Sequence, residues 1–194
     1  MKDESLVLQV KQGSREAFDD LYKKYKRPIL NYIYRFIGNH HLAEELAQEA
    51  FVRVYVNIQK YQPVTKFSSW LYKIAGNLAK NFLRHAAYDK RAMPFKKDLE
   101  ASDLEAILPA ECIMDDSKRP DRHAQSKEEE RLVQRAINLL PAQLKEAVIL
   151  CDIEGFSYNE AADIMNCKPM TVGSRLWRGR EKLAKSLQHI KDGA

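Results

Sequence analysis

Apolar positions in this chain recur every three to four residues over most of its length, the period of helices that bury one face. The first run, Leu6 to Val10, lies between Glu4 and Lys11 and closes at Gly13. Ser14 then caps a longer helix. Phe18, Leu21, Tyr22, Tyr25, Ile29, Tyr32, Ile33 and Phe36 keep helical spacing up to Gly38, and this aromatic stripe is read as core. Pro28 lies inside the run and predicts a kink or a break, because proline lacks an N–H and crowds the preceding turn. Leu42 to Ile58 is the next helix, with Leu46, Ala50, Val54 and Ile58 in one line. Tyr61 to Thr65, with Pro63, reads as a loop. Lys66 to about His85 is helical again, with Phe67, Leu71, Ile74, Leu78 and Phe82 as its buried stripe. No segment alternates with the period of a strand.

The periodicity fades from Arg91 to about Gln125, where Asp, Glu, Ser and Pro dominate. That composition predicts a linker, extended or disordered when free. Helical spacing returns with Leu132, Ala136, Leu139 and Leu140, stopped by Pro141. It continues with Leu144, Ala147, Val148, Leu150 and Cys151, which end at Gly155. The expected fold is all-α: two small helical domains, residues 1–91 and 127–194, joined by a flexible acidic linker over 92–126.

Residues 155–183 carry the sharpest local pattern. Ser157 with Glu160 three residues on is a capping box. Asn166 suits the left-handed conformation that ends a helix, and Pro169 suits the first turn of another. Ala162, Asn166 and Val172 have the spacing of a helix-turn-helix. The second helix turns Val172, Leu176, Leu183 and Leu187 inward and Ser174, Arg175, Arg178, Lys182 and Lys185 elsewhere, with Trp177 and Arg180 at the margins. Residues 166–191 hold seven Lys/Arg against one acid. Such a helix can enter a major groove with its first residues on base edges and its later cations on phosphates. An ordinary helical hairpin with a basic solvated face is the bland alternative.

Charge adds a second candidate surface. The net charge of +5 is unevenly spread: residues 1–91 hold 16 Lys/Arg against 9 Asp/Glu, residues 92–126 hold 5 against 8, and residues 127–194 hold 11 against 10. Two basic modules around an acidic connector point to a polyanionic partner. On the helix that begins near Lys66, the residues Lys66, Trp70, Lys73, Asn77, Lys80 and Arg84 form a line at spacings of three and four. Cations there can track a phosphate backbone while the indole stacks on an unpaired base. The competing reading is a solvated face with a partly buried tryptophan. In the Leu42 to Ile58 helix, Glu44, Glu45, Gln48, Glu49 and Arg53 read from pattern alone as a solvated face.

Other chemistries find little footing. Cys112, Cys151 and Cys167 have neither zinc spacing nor a disulfide framework, which suits a reducing compartment, and the two later thiols read as buried. His40, His41 and Glu44 lack the spacing of a zinc helix. No apolar run approaches a membrane span, so direct membrane insertion is not expected, and nothing at the N-terminus resembles a signal peptide. A cytoplasmic protein without cofactor or metal is the expectation. No paired carboxylates, nucleophile triad or Gly-rich phosphate loop suggests an enzyme. A one-component regulator, with residues 1–91 as a sensor and dimerisation domain, is the main rival.

Three segments in order carry a family resemblance over nearly the whole chain: Ala43-Glu-Glu-Leu-Ala-Gln-Glu-Ala-Phe51, Phe67-Ser-Ser-Trp-Leu-Tyr-Lys-Ile-Ala-Gly-Asn-Leu-Ala-Lys-Asn-Phe-Leu83, and Gly155-Phe-Ser-Tyr-Asn-Glu-Ala-Ala-Asp-Ile-Met-Asn-Cys167 with Thr171-Val-Gly-Ser-Arg175. The chain resembles a bacterial extracytoplasmic-function sigma factor of the sigma-70 superfamily, close to the sigma-E group. The resemblance implies a dissociable specificity subunit that binds core RNA polymerase at its β′ clamp and β flap and directs it to −10 and −35 promoter DNA. It implies an anti-sigma factor as a further partner, often membrane-anchored. It turns Glu45, Gln48 and Glu49 into polymerase contacts. Lys66, Trp70, Lys73, Asn77, Lys80, Asn81 and Arg84 become the −10 set, with the loop from Tyr61 to Lys66 receiving a flipped base. Tyr158, Lys168, Thr171, Ser174, Arg175, Trp177, Arg178 and Arg180 become the −35 set. The chain departs from the family at Cys167-Lys-Pro-Met-Thr-Val172, where Cys-Pro-Val-Gly-Thr-Val is usual. It departs again at Gly173, which takes a cation from the recognition helix and lowers local helix propensity by about 1 kcal/mol.

Overall fold

The computed structural model describes residues 3–92 and 130–192, all of whose regular elements are helical. α1 (Asp3–Lys11) has acids in its first turn and Lys11 in its last, both favourable to the helix dipole. α2 (Arg15–Ile37) starts where the Ala17 N–H donates to Ser14 Oγ at 3.2 Å and ends at Gly38, whose φ of 76° is left-handed. α2 runs through Pro28 without a break. The expected interruption is overridden by burial on both sides of it, Tyr25 before and Ile29, Tyr32, Ile33 and Phe36 after. α3 (His40–Asn57) is capped by Asn39, which accepts the Leu42 N–H at 3.1 Å, and passes into a 3₁₀ turn (Ile58–Lys60). Its buried edge is Ala43, Ala47, Ala50, Phe51 and Val54, whereas Leu46 is only half-buried. Small residues let α3 lie close to α2, and Phe51 meets Tyr22 edge-on at 4.8 Å.

α4 (Phe67–Ala92) outruns the expected helix by about two turns. Phe67, Leu71 and Leu78 are buried as expected, but Ile74 and Phe82 are half-buried, while Ser69, Tyr72, Ala75 and Ala79 are buried. The buried sector is wide because α4 is covered from two sides, by α2 and α3 and by the second group of helices.

That second group comprises α5 (130–138), α6 (Ala142–Val148) running into a π turn (Ile149–Ile153), α7 (Tyr158–Met165) and α8 (Pro169–Asp192). Its core holds Ala136, Ile137, Leu140, Ile149, Leu150, Ile164, Val172 and Leu176. Leu139, expected inside, is 69% exposed; α5 ends before it, and the turn carries its side chain outward. α8 crosses α6 at Gly179, where a Cβ would stand 2.6 Å from Val148 Cγ2 and 3.3 Å from the Leu144 carbonyl oxygen, so only glycine allows this approach. The two groups pack on one another, chiefly α7 on α4, and a single apolar core runs through both. The acidic segment over 93–126, with Cys112, lies outside the described residues.

Candidate nucleic-acid interface

The helix-turn-helix forms as its sequence dictates. The Glu160 N–H donates to Ser157 Oγ at 3.3 Å, and the Ser157 N–H donates back to the Glu160 carboxylate at 3.0 Å, which completes the capping box. Asn166 closes α7 with φ 51°, and the Cys167 N–H donates to the Ala162 carbonyl at 3.0 Å. Pro169 opens α8, where its missing N–H costs nothing. Val172 and Leu176 anchor α8 inward, with Leu183 and Leu187 half-buried beside them. Tyr158, Lys168, Ser174, Trp177, Arg178 and Arg180 are exposed, and Thr171 and Arg175 are half-buried. Trp177, expected at the margin, is 68% exposed. Arg180 donates to both oxygens of Asp152, so its guanidinium is already oriented by the π turn.

The cation line on α4 also forms. Lys66, Asn77, Asn81 and Arg84 are exposed; Trp70, Lys73 and Lys80 are half-buried. Trp70 is held by Tyr61, ring centroids 5.0 Å apart, and by Phe67 at 6.1 Å, so part of the indole belongs to the core. Tyr61 also donates its hydroxyl to the Thr65 carbonyl at 2.7 Å. This aromatic group pins the loop before α4 to the start of the line.

Two members of the line are engaged by the second group of helices. Lys66 Nζ lies 2.7 Å from Glu160 Oε1, and Lys80 Nζ donates to the Glu146 carboxylate at 2.9 and 3.2 Å. The Lys66 contact, with the Ser157 hydrogen bonds, pulls the Glu160 carboxyl down to about 2. Burial pushes Glu146 up from its ordinary value, and Lys80 and Arg175 pull it back. A cavity of about 210 Å³ lies where α4 meets α7, lined by Ser69, Trp70 and Lys73 on one side and Asp163, Asn166 and Cys167 on the other. Cys151 and Cys167, read from sequence as buried, are half-buried instead; Cys167 faces this cavity and Cys151 follows the start of the π turn.

The candidate polymerase contacts form a separate surface. Glu45, Gln48 and Glu49 are exposed on α3, with Arg53 donating to Glu49 at 2.6 Å and His41 lying 3.3 Å from Glu45. Beside them runs a groove of about 170 Å³ lined by Tyr22, Lys26, Leu30, Glu44, Ala47, Gln48 and Phe51. Sequence reasoning missed Val52, Tyr55 and Val56, which continue this face in apolar form at 61%, 50% and 69% exposure. Their signal was available: three apolar residues off the buried line of an amphipathic helix. Among the described residues no three His, Cys, Asp or Glu converge as for a metal, and no helix is long and apolar enough to cross a membrane.

Lys145 was also missed. It is 5% exposed and donates to the Phe36 carbonyl at 3.0 Å across the two groups, and burial pushes its amine down to about 8. The ordinary value is 10.5, so between these limits the unfolded chain binds a proton that the folded chain does not. Stability therefore rises with pH in that interval. Urea unfolding at pH 8 and pH 9 is expected to differ by about 1 kcal/mol in favour of pH 9. Lys145→Met is expected to abolish the difference.

A cation-lined helix and a helix-turn-helix on one chain define a class of protein built to hold a polyanion at two places. Comparison with known proteins narrows that class. Residues 21–88 match the family model of sigma-70 region 2, and residues 130–183 match that of sigma-70 region 4. The RNA polymerase sigma-H factor of Pseudomonas aeruginosa is 37% identical over 97% of this chain and 95% of its own. The ECF RNA polymerase sigma factor SigW of Bacillus subtilis is 36% identical over 95% and 96%. In fold, the chain is similar to CnrH solved in complex with the cytosolic domain of CnrY, with a TM-score of 0.67, 21% identity and coverage of 96% and 97%. It is also similar to the sigma factor RpoE solved with the anti-sigma factor NepR from Bartonella quintana, with a TM-score of 0.61, 22% identity and coverage of 88% and 96%. The chain belongs to the extracytoplasmic-function sigma factors of RNA polymerase. It is a transcription initiation factor and not an enzyme, which sets aside the sensor-domain reading of residues 1–91.

Proposed function

We propose that residues 1–91 grip core polymerase and open the −10 element, and that residues 127–194 read the −35 element, with 92–126 as the tether. Glu45, Gln48 and Glu49 bind the β′ clamp, and the second module meets the β flap. Lys66, Trp70, Lys73, Asn77, Lys80, Asn81 and Arg84 follow the −10 strand. Tyr158, Lys168, Thr171, Ser174, Arg175, Trp177, Arg178 and Arg180 face the −35 duplex. The observation that carries this reading is the continuous line on α4, cations and amides interleaved with Trp70, starting beside the aromatic-pinned loop over 61–66. Neither surface need bind tightly alone, because polymerase fixes their separation and turns two weak sites into one strong one. The resemblance adds a cytoplasmic location for the chain and an anti-sigma partner of the kind often anchored in the membrane, and the exposed apolar strip at Val52, Tyr55 and Val56 offers a protein partner a surface continuous with the α3 grip.

Run-off transcription tests the reading. Purified bacterial core polymerase is given genomic promoter fragments with and without the protein. Transcripts that need the protein and start at defined promoters support it; their absence despite core binding removes it.

Within the −35 set, two substitutions are expected to behave differently. Arg178→Ala removes an exposed guanidinium from α8 and is expected to cost about 1–3 kcal/mol and relax preference at one base pair. Lys168→Ala, at the mouth of the turn, is expected to weaken binding evenly across sequences and lower the salt slope by about one. Competition between promoter variants at two salt concentrations, read on the holoenzyme, separates them.

A further inference from the structure

We propose that α8 reads thymine by its C5-methyl group, through a notch walled by Met170 and Trp177 in its first two turns. This rests on the −35 assignment above and adds to it a specificity-determining residue, Met170, and the base chemistry it takes. Val172, Leu176 and Gly179 set the buried side of α8. Met170 and Trp177 are seven positions apart, close to two helical turns, and share one line along the opposite side. Both are bare to solvent, Met170 at 86% exposure. Between them stand Gly173 and Ser174. Gly173 has no side chain to fill the gap. Packing does not demand that absence, since a Cβ there would meet only Tyr158 Cε2, at the ordinary contact distance of 3.7 Å. The gap is therefore a feature of the exposed surface, with a thioether at one end, an indole at the other and a tyrosine edge on its flank.

Hydrogen bonding has little to offer along this line. Ser174 Oγ donates to the Met170 carbonyl at 3.0 Å and to the Thr171 carbonyl at 3.3 Å, so its one proton is spent on the helix's own backbone. Arg175 lies half-buried on the flank, and Arg180 is tied to Asp152. Glu181 is the next residue on the line, paired with Lys185 at 2.7 Å. Phosphates repel its carboxylate, so the stretch that reaches base edges ends near Arg178. The first two turns thus present a major groove with apolar surface and one guanidinium. Of the four DNA bases, only thymine places a methyl group in that groove. A methyl seated between the thioether and the indole takes apolar surface on both partners out of water. The rim of the notch favours DNA over an apolar protein partner. Lys168 precedes Met170, Arg178 and Lys182 follow Trp177, and all three are exposed where they complement phosphates.

Deoxyuridine tests the proposal, because its base differs from thymine by that methyl group alone. A promoter fragment found by run-off transcription is made with each thymine of its −35 segment replaced in turn, on either strand. Binding to the holoenzyme is read by competition against the unmodified fragment. Removing the methyl at one base pair, or at each of two adjacent ones, is expected to weaken binding about fourfold, the worth of one buried methyl group. The other positions are expected to be unaffected. Met170→Ala, at an exposed position that the fold does not depend on, is expected to remove this penalty at one of those pairs. Arg178→Ala is expected to weaken binding and keep the penalty. A −35 segment with no thymine on either strand overturns the proposal. So does a wild-type holoenzyme indifferent to every replacement, or a penalty of full size at every pair in Met170→Ala. A fragment with a scrambled −35 segment is measured beside them. If it competes as well as the native one, the −35 assignment of α8 falls, and the proposal with it. If it competes poorly while deoxyuridine has no effect, that assignment stands and methyl reading alone is lost.

Discussion

Alanine at Glu45, Gln48 and Glu49 together is expected to weaken binding to core polymerase at least about a hundredfold, with folding stability within about 1 kcal/mol of wild type. The two halves of this expectation have different physical sources. All three side chains are exposed, and their ties within the chain are surface pairs one helical turn apart, Arg53 with Glu49 and His41 with Glu45. A surface pair of permanent charges such as Arg53 with Glu49 contributes about 0.3–0.5 kcal/mol and a contact to an imidazole no more, so their loss barely moves the fold. At an interface the same groups are desolvated against a partner, where a few central contacts carry about 2 kcal/mol or more apiece. Titration of labelled core polymerase, set beside a thermal unfolding curve, separates the two. Undiminished binding in the triple variant would move the grip along α3 to Val52, Tyr55 and Val56.

That alternative shows where sequence reading stopped. The caps, the left-handed Asn166, the first-turn Pro169 and the alternating faces of α4 and α8 are local, set by residues within a turn or two of each other. They were legible for that reason. Contacts between the two helical groups are not local: Lys66 and Glu160 are 94 positions apart, and Lys145 and the Phe36 carbonyl 109. No periodicity records such pairs. One signal did exist. Lys145 and Glu146 interrupt an otherwise apolar run from Leu144 to Leu150, and charges placed there must either face solvent or find partners. The structure shows partners. Similarly, Tyr72 lies off the predicted stripe of α4 yet is 4% exposed, because a second surface covers it. Pro28 shows the converse case, a local signal overridden by burial on both sides of it.

Phe36→Ala is expected to destabilise the chain by about 3–5 kcal/mol, a large share of the roughly 5–15 kcal/mol available to a folded domain. The ring is fully buried at the end of α2, edge-on to Tyr32 at a centroid distance of 6.1 Å. Removing it forfeits the transfer free energy of the ring and leaves a cavity that neighbouring helices fill only in part. The loss extends beyond α2 because Lys145 Nζ sits 5.9 Å from the same ring and hydrogen-bonds to the same residue's carbonyl. In a chain of this size the midpoint of thermal unfolding should fall by about 10 °C. Phe82→Ala, at a half-buried position on α4, should cost much less. A second readout locates the damage. With the ring gone, water reaches Lys145, its amine moves back toward the ordinary value, and the stability gain from pH 8 to pH 9 shrinks. If the full gain persists in Phe36→Ala, the damage stays within α1 to α4. If it shrinks together with the fall in midpoint, Phe36 is the residue through which the core of the first group supports the contact with the second.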